Sequence, residues 1–410
     1  MTSISDDWNK VIKKRLIIYG TGNTGKEFYN KFRDILPIYA CTSSEKETIP
    51  IENLKVVPYQ ELNQEKDFLI ICSLANREIR YRLMLEGWKI NNNFMNSSIF
   101  QIIYDCVFSK KKLIVAIGQC EIREMFLALS RIESFSQKYA VVYFDEREVC
   151  NHGNRRQWEE IIECLNILDK ADYFVRPSAL NPATVMSFNF FKQKLNRECR
   201  TIVVSLFHFD SYWPQDISKE RQVSKYYVTQ PGVKICAFVE SDRIIDRLLE
   251  EGHSCREIIK LVKREDFFTQ NEVVKNHQNT LKRVKITDRL SDIKVTDYVE
   301  ENYNKVKLYC DRGHFDQALL RIYVKKFLIY LGEAEAIDEL QKIVLDDIFE
   351  RINEFPIYPS TSKILNLEWI EENTLYRMVL PSGIKKVTFD EYMELLVEYR
   401  YQTQKILKLC

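Results

Sequence analysis

The sequence predicts an α/β protein with two doubly wound parallel sheets, a helical region and a small α+β extension at the C-terminal end. An apolar segment that ends at a glycine and leads into a helical pattern occurs twice, over residues 16–35 and 113–129. After each opening, apolar segments of strand length alternate with helical patterns, as in βαβ units. From about residue 241 the pattern becomes helical, which predicts the helical region.

Composition excludes several classes of protein. The 410 residues suffice for two or three domains, and 60 basic against 59 acidic side chains leave a formal charge of +1. No overall field therefore attracts nucleic acid or an anionic membrane. No apolar stretch reaches the ~18 residues of a membrane span, and no signal-peptide core begins the chain. The 11 cysteines lack CxxC pairs and Cys/His ligand spacing, so we predict a reduced, cytoplasmic protein without a metal.

The first domain is predicted over residues 1–108. Its strands are expected at 16–19, 38–41, 56–57 and 67–72, and its later helices at 76–86 and 99–106. Gly87 follows the first of these helices, which is typical of a helix C-cap. The alternation predicts a small Rossmann-like unit.

The turn Gly20-x-Gly22-x-x-Gly25 lies between the first strand and the first helix of this domain. Such glycines allow a tight turn, a close backbone approach to a pyrophosphate and close helix packing. The acidic residue that would bind a ribose is missing, since residues 40–44 read ACTSS. This argues against an ordinary NAD site. The segment resembles the Rossmann-like modules that precede sugar-modifying acetyltransferases, which implies a nucleotide-sugar ligand; the alternative is a turn kept for packing.

The second domain is predicted over residues 109–350, and the extension over 351–410. The strands are expected at 113–117, 141–144, 173–175 and 202–206. The helices are expected at 157–168, 183–195, 244–249, 255–262, 271–290 and 315–330. In the extension, a hairpin at 376–380 and 386–389 precedes a helix at 390–407. This extension either caps the second domain or forms a dimer interface, so the sequence leaves open whether the protein forms a homo-oligomer.

Cys120 follows Gly118 and Gln119 at the point where a buried strand leads into a helix. That position presents a side chain at the carboxyl edge of a parallel sheet, beside the first N–H groups of the helix. Those groups lower the pKa of a thiol and can bind an oxyanion. The alternative is one more buried cysteine.

A base for this thiol, or for a substrate hydroxyl, would be one of only five histidines. His208 follows a predicted strand within an aromatic loop at residues 207–215. His314 follows Asp311 by three residues at the start of a predicted helix. These two histidines are the strongest candidates, because the others lie in polar or charged surroundings.

Three motifs follow one another along residues 111–335. They are Gly118-Gln119-Cys120-Glu121, the aromatic loop with Tyr212-Trp213-Pro214, and Gly313-His314-Phe315. This order resembles the WcbI family of capsular-polysaccharide biosynthesis proteins, in which the motifs read Gly-Asn-Cys-Gln, an aromatic loop ending in proline, and Asn-His-Pro. The cysteine and the histidine are kept here, whereas their neighbours differ.

The resemblance implies a WcbI-like, SGNH-like second domain that binds coenzyme A or acetyl-CoA and transfers an acyl group to a capsular sugar. Candidate ligand contacts are then Gly118, Gln119, Arg123, Tyr212 and Trp213. Arg123 lies on the first turn after Cys120, close to any anion bound there.

Three functions remain at this point. The first is a coenzyme A-dependent transferase of polysaccharide biosynthesis, in which His208 or His314 activates a sugar hydroxyl and Cys120 lines the pocket. The second is an SGNH-type esterase with Cys120 as nucleophile, His314 as base and Asp311 to orient it. The third is a non-catalytic protein that binds a nucleotide-sugar. The resemblance favours the transferase, whose partner is a small molecule or a glycan.

Overall fold

A computed structural model describes residues 4–43, 49–73, 75–146, 167–178, 188–215, 242–349, 352–380 and 383–407. The chain forms two compact units. The first comprises residues 1–126 and 133–203, and the second comprises residues 127–132 and 204–410.

A parallel five-stranded sheet forms the N-terminal part of the first unit, in the order β3-β2-β1-β4-β5. Its strands are β1 (Arg15–Tyr19), β2 (Ile38–Thr42), β3 (Lys55–Val56), β4 (Asp67–Ile71) and β5 (Phe94–Asn96). Its helices are α1 (Ile4–Val11), α2 (Asn23–Phe32), α3 (Asn76–Leu85) and α4 (Ser97–Phe108). The strand order reverses between β1 and β4, which is where sheets of this kind bind ligands.

Apolar runs produce these strands because both faces of the sheet are covered. All five residues of β4 are buried, including the charged Asp67 at its start. Arg15 Nε donates to Asp67 Oδ1 at 2.6 Å, and the N–H of Asn63 donates to Oδ2 at 2.7 Å. The buried carboxylate is therefore compensated.

A second sheet, in the order β7-β6-β8-β9, follows in the same unit. It contains β6 (Lys112–Gly118), β7 (Tyr139–Asp145), β8 (Tyr173–Pro177) and β9 (Arg200–Val204), with helices α5 (Cys120–Leu129), α6 (Glu133–Lys138) and α7 (Phe188–Lys194). Strand β6 runs parallel to β7 and β8. One apolar core joins both sheets, from Trp8 through Phe100 to Phe191. The structure thus places the residues on both sides of position 108 in one unit, whereas the sequence predicts a domain boundary there. The domain bounds stay a prediction.

The second unit is mainly helical. Its helices are α8 (Arg243–Glu250), α9 (Cys255–Val262), α10 (Gln270–Arg289), α11 (Thr296–Asn302), α12 (Gln317–Leu331), α13 (Ala334–Leu340), α14 (Pro359–Leu365) and α15 (Phe389–Leu407). Capping boxes begin three of them, with Ser254 and Glu257 at α9, Thr269 and Glu272 at α10, and Thr388 and Glu391 at α15.

The C-terminal extension, residues 352–407, belongs to the second unit. An antiparallel hairpin of β10 (Tyr376–Leu380) and β11 (Gly383–Val387) precedes α15. Arg400 on α15 is 4% exposed, and its Nε and Nη2 each lie 2.5 Å from a carboxylate oxygen of Asp246 on α8. This buried ion pair attaches the last helix to the helical region.

The predicted fold class is confirmed: two parallel sheets, a helical region and a small α+β extension. The sequence missed β5, because this strand contains only three residues within a polar segment. It also missed the short helices α1, α6, α11, α13 and α14, each of which has at most eight residues. The helix expected at 157–168 lies outside the described residues except for 167 and 168. Of the helix expected at 183–195, the described part is α7.

Asp242 provides a pH-dependent contribution to stability. It is fully buried, its Oδ1 accepts from the N–H groups of Ile244 and Ile245, and Tyr358 Oη donates to its Oδ2 at 2.8 Å. Burial raises the pKa of Asp242 to about 6. A pKa above the unfolded value means that stability is present at low pH and is lost as pH rises through about 6.

We therefore expect Asp242→Asn, which keeps an acceptor for the helix cap, to remove this loss. Wild type should lose about 3 kcal/mol from this group between about pH 4 and pH 7, and the variant should not. Urea unfolding across that range measures the difference. Asp390→Asn, at a half-exposed pair with Lys263, is the control. Equal pH slopes for wild type and Asp242→Asn would contradict the assignment.

Candidate functional site

The elbow at Cys120 joins β6 to α5 in the first unit. Helix α5 begins at Cys120, and the thiol is partly exposed. A Cβ on Gly118 would lie 2.4 Å from Cγ1 of Ile122, so the turn favours glycine. The thiol lies at the start of α5, whose dipole favours a thiolate or a bound anion. The structure therefore places Cys120 where the sequence predicts it, at the carboxyl end of a buried strand.

Side chains from β7 and the residue after it brace the elbow. Tyr143 Oη lies 2.9 Å from the carbonyl oxygen of Gly118 and 3.1 Å from that of Gln119, within donating distance of both. Gln119 Nε2 donates to Glu146 Oε2 at 3.5 Å. Gln119 and Arg123 are exposed, and their contact with a ligand stays a prediction.

The loop that carries His314, residues 308–316, is a short hairpin in the second unit. Tyr309 and Phe315 form an antiparallel bridge, and the N–H of Asp316 donates to the carbonyl of Leu308 at 2.8 Å. The Cys310 N–H donates to the His314 carbonyl at 2.9 Å. We call this segment the His314 loop. Its tip carries the predicted Asp311 and His314.

Asp311 orients the imidazole of His314. Asp311 Oδ2 lies 2.7 Å from His314 Nδ1, and Oδ1 accepts from the N–H groups of Gly313 at 2.8 Å and His314 at 2.9 Å. The carboxylate is thus fixed by two backbone donors, and its contact with Nδ1 favours the tautomer with the proton on Nδ1 and the lone pair on Nε2. The His314 side chain is 32% exposed, which leaves it accessible to a substrate.

His208 lies beside the same loop. It is exposed, and its Nε2 would be 4.0 Å from a Cβ built on Gly313. The N–H of Phe209 donates to the carbonyl of Arg312 at 2.9 Å, which pairs the aromatic loop with the His314 loop. The structure brings His208, Asp311 and His314 together on one surface of the second unit.

Sequence reasoning missed Asp210, which joins these loops. Arg312 Nε and Arg283 Nη2 both donate to its carboxylate, and Asn276 donates to its carbonyl at 2.6 Å. His277 next to Asn276 was expected in charged surroundings; instead its Nδ1 lies 3.0 Å from Ser211 Oγ, and burial lowers its pKa. Only long-range pairing reveals these contacts, since Asp210 and Arg283 lie 73 positions apart.

Tyr212 and Trp213 lie in the core. They are 0% and 1% exposed, and their polar atoms donate to the carbonyls of Tyr303 at 2.6 Å and Phe355 at 3.3 Å. The aromatic part of this loop therefore packs behind the surface that carries His208. Burial gives both rings a structural role, and their contact with coenzyme A stays a prediction.

The three glycines of the N-terminal turn differ in their surroundings. Gly20 has φ +110°, and a Cβ on it would lie 2.4 Å from the carbonyl oxygen of Cys72. A Cβ on Gly25 would lie 2.0 Å from the carbonyl oxygen of Gly20. A Cβ on Gly22 would meet no atom within 4 Å. Packing thus explains two of the glycines, and a nucleotide-sugar at the third stays a prediction.

A partly buried ion cluster lies at the base of the His314 loop. Lys307 Nζ is 3.1 Å from Asp316 Oδ2 and 2.9 Å from Glu354 Oε1, and Arg377 Nη2 is 2.9 Å from Glu354 Oε1. Cys310, whose pKa is raised by burial, lies beside them. The ligand atoms of Cys310, Asp316 and Glu354 lie within 4.8 Å of one another, the one such group in the described chain. The two cations already balance the two carboxylates, so the cluster does not need a metal ion.

Comparisons with known proteins agree with this architecture. Residues 113–323 match the family model described as polysaccharide biosynthesis enzyme WcbI, and residues 12–93 match a C2185-like N-terminal domain. A solved WcbI structure aligns with a TM-score of 0.55 and 14% identity, over 73% of this chain and 93% of that one. It is described as the native protein without a disulfide bond between coenzyme A and one of its cysteines. No curated protein gives a significant match.

Within the described residues, no helix combines the length and apolar composition that a membrane span requires. The WcbI match spans more than half of the sequence, and it contains both the Cys120 elbow and the His314 loop. The chain therefore belongs to the WcbI family of polysaccharide biosynthesis enzymes.

Proposed function

We propose that this protein transfers an acyl group, with acetyl as the first candidate, from coenzyme A to a hydroxyl of a sugar in a surface polysaccharide. The observation that carries the proposal is the Asp311–His314 pair, with 2.7 Å between Oδ2 and Nδ1 on an accessible loop. A histidine oriented by a fixed carboxylate is the usual general base for a hydroxyl.

In this proposal, side chains of the protein carry out the proton transfer. His314 Nε2 takes the proton of the sugar hydroxyl as the oxygen forms a C–O bond to the acyl carbon. The C–S bond breaks, and His314 returns the proton to the departing thiolate. Asp311 stabilises the imidazolium in between. Acyl-coenzyme A would supply an already activated thioester, so one base and N–H donors for the oxyanion suffice.

Cys120 is the proposed contact for coenzyme A. Its partly exposed thiol lies at the start of α5, where a helix dipole favours anions. The description of the WcbI neighbour links coenzyme A with a cysteine, which supports the same role here. Burial raises the pKa of the thiols of Cys72, Cys106 and Cys199 to about 12, which disfavours their thiolates.

We expect Cys120 to form a mixed disulfide when the protein is incubated with coenzyme A disulfide, with one coenzyme A thiolate released per adduct. Intact-mass spectrometry counts the adducts, and peptide mapping after non-reducing digestion locates them. Cys120→Ser should remove it, and Cys255→Ser, at another partly exposed cysteine, should keep it. An adduct that persists in Cys120→Ser would contradict the assignment.

The transfer itself is tested with radiolabelled acetyl-coenzyme A and de-O-acetylated capsular polysaccharides. Label in the polysaccharide, with release of one thiol per acetyl group, is the expected result. The same Asp311–His314 pair also suits hydrolysis of a glycan ester, which the resemblance to SGNH-type esterases suggested. Release of acetate from acetylated glycan without any transfer would favour that second function and overturn the first.

A further inference from the structure

We infer that the C-terminal extension positions the Asp311–His314 pair, with Glu354 and Arg377 fixing the base of the His314 loop. The catalytic part of this inference rests on the function proposed for His314. The structural part does not, because it concerns the geometry of the loop alone. Neither Glu354 nor Arg377 lies among the predicted site residues.

Backbone hydrogen bonds connect the extension with the imidazole. The N–H of Phe355 donates to the carbonyl of Cys310 at 2.8 Å, and the N–H of Cys310 donates to the carbonyl of His314 at 2.9 Å. The segment that contains Phe355 therefore lies beside Cys310 in the His314 loop and is held there by a backbone hydrogen bond. A displacement of this segment would move Cys310 and, through it, His314.

The ion cluster closes the base of the loop. Lys307 precedes the loop and Asp316 ends it, and Lys307 bridges Asp316 and Glu354. Arg377 holds Glu354 from the hairpin, since its Nε donates to the carbonyl of Ile352 at 2.9 Å and its N–H donates to Glu354 Oε2 at 3.1 Å. Both ends of the loop are thereby tied to the extension.

Charge makes these contacts interdependent. The side chains of Lys307, Glu354 and Arg377 are 27%, 11% and 15% exposed. Burial by itself would raise the pKa of Glu354, but Lys307 and Arg377 hold it below its usual value. Without the Glu354 charge, Lys307 would keep its contact with Asp316, whereas Arg377 would lose its contact with a carboxylate, and a poorly solvated cation that loses its partner is costly. The cluster would rearrange, and the base of the loop would lose its fixed geometry.

The test uses the full-length chain labelled with ¹⁵N-histidine. Five histidines give a simple spectrum, in which His314→Ala identifies the His314 signals. In wild type, we expect the signals of one tautomer with the proton on Nδ1. In Glu354→Gln, we expect His314 signals averaged between the two tautomers. The signals of His253, on the surface near α8, should be unchanged. Glu372→Gln, at an exposed position of the same extension, is the control and should match wild type.

If Glu354→Gln does not fold, Arg377→Lys replaces it, because lysine keeps the cation but cannot contact Ile352 and Glu354 with two separate nitrogens. Averaged His314 signals in either folded variant support the inference. Unchanged His314 signals in a folded variant with a lowered melting temperature would overturn it, because the cluster would then be structural only.

Kinetics separates this inference from the proposed function. If the protein is a transferase, Glu354→Gln should lower kcat about 10-fold or more and leave KM unchanged, since the substitution removes no contact with the substrate. If His314→Ala retains full activity, the proposed function fails, while the tautomer measurement still decides whether the extension positions the loop.

Discussion

His314→Ala should lower the rate of acyl transfer by about 10² to 10⁴-fold, with little change in the affinity for coenzyme A. The imidazole takes the proton of the attacking hydroxyl, and His314 is the one histidine of the His314 loop. Asp311→Asn should cause a loss in the same range. The amide can still accept from the backbone N–H groups, but its NH₂ would face Nδ1 and favour the tautomer with the proton on Nε2.

Two further histidine variants make this series decisive. His253→Ala, at a surface position beside Glu251, should keep full activity. His208→Ala should have a smaller effect than His314→Ala, because His208 is exposed on the aromatic loop, whereas Asp311 fixes the imidazole of His314. Activity is measured as label transferred to polysaccharide under single-turnover conditions. A larger loss in His208→Ala than in His314→Ala would assign the base to His208 instead.

The parts of this protein that sequence could predict are those with local causes. Strands β1, β4 and β6 follow from apolar runs, since a parallel sheet covered on both faces buries each residue. The Asp311–His314 pair follows from a spacing of three residues within one turn. Cys120 follows from a glycine at the end of a strand. Each inference needs only residues that are neighbours along the chain.

The other parts of the site depend on contacts between distant segments. His208 meets the His314 loop through the Phe209–Arg312 hydrogen bond, across about a hundred residues. Glu354 meets Lys307 only because the extension folds back onto the loop. Tyr212 and Trp213 suggested a ligand wall because aromatic residues near a sheet edge often line pockets. Whether such a ring faces a ligand or the core depends on the residues that pack behind it. Here the carbonyls of Tyr303 and Phe355 accept hydrogen bonds from Tyr212 and Trp213 within the core.

Substitution of the N-terminal glycines should separate packing from ligand binding. Gly25→Ala should destabilise the first unit by about 3 kcal/mol or more, because the methyl group would meet a backbone oxygen that cannot move aside. In a unit of this size, that is a fall in melting temperature of about 6 °C or more. Gly20→Ala should have a similar effect, since it adds a strained positive φ to a backbone clash.

Gly22→Ser is the matched control, because the added side chain meets open space and serine is a good N-cap for α2. Its melting temperature should stay within about 2 °C of wild type. If the turn binds a nucleotide-sugar, Gly22→Ser should weaken the thermal shift caused by UDP-N-acetylglucosamine while the fold is kept. A destabilised Gly22→Ser would mean that all three glycines serve packing. A stable Gly25→Ala would show instead that the close approach of Gly25 to Gly20 is not required, and that the turn tolerates a side chain where the helix begins.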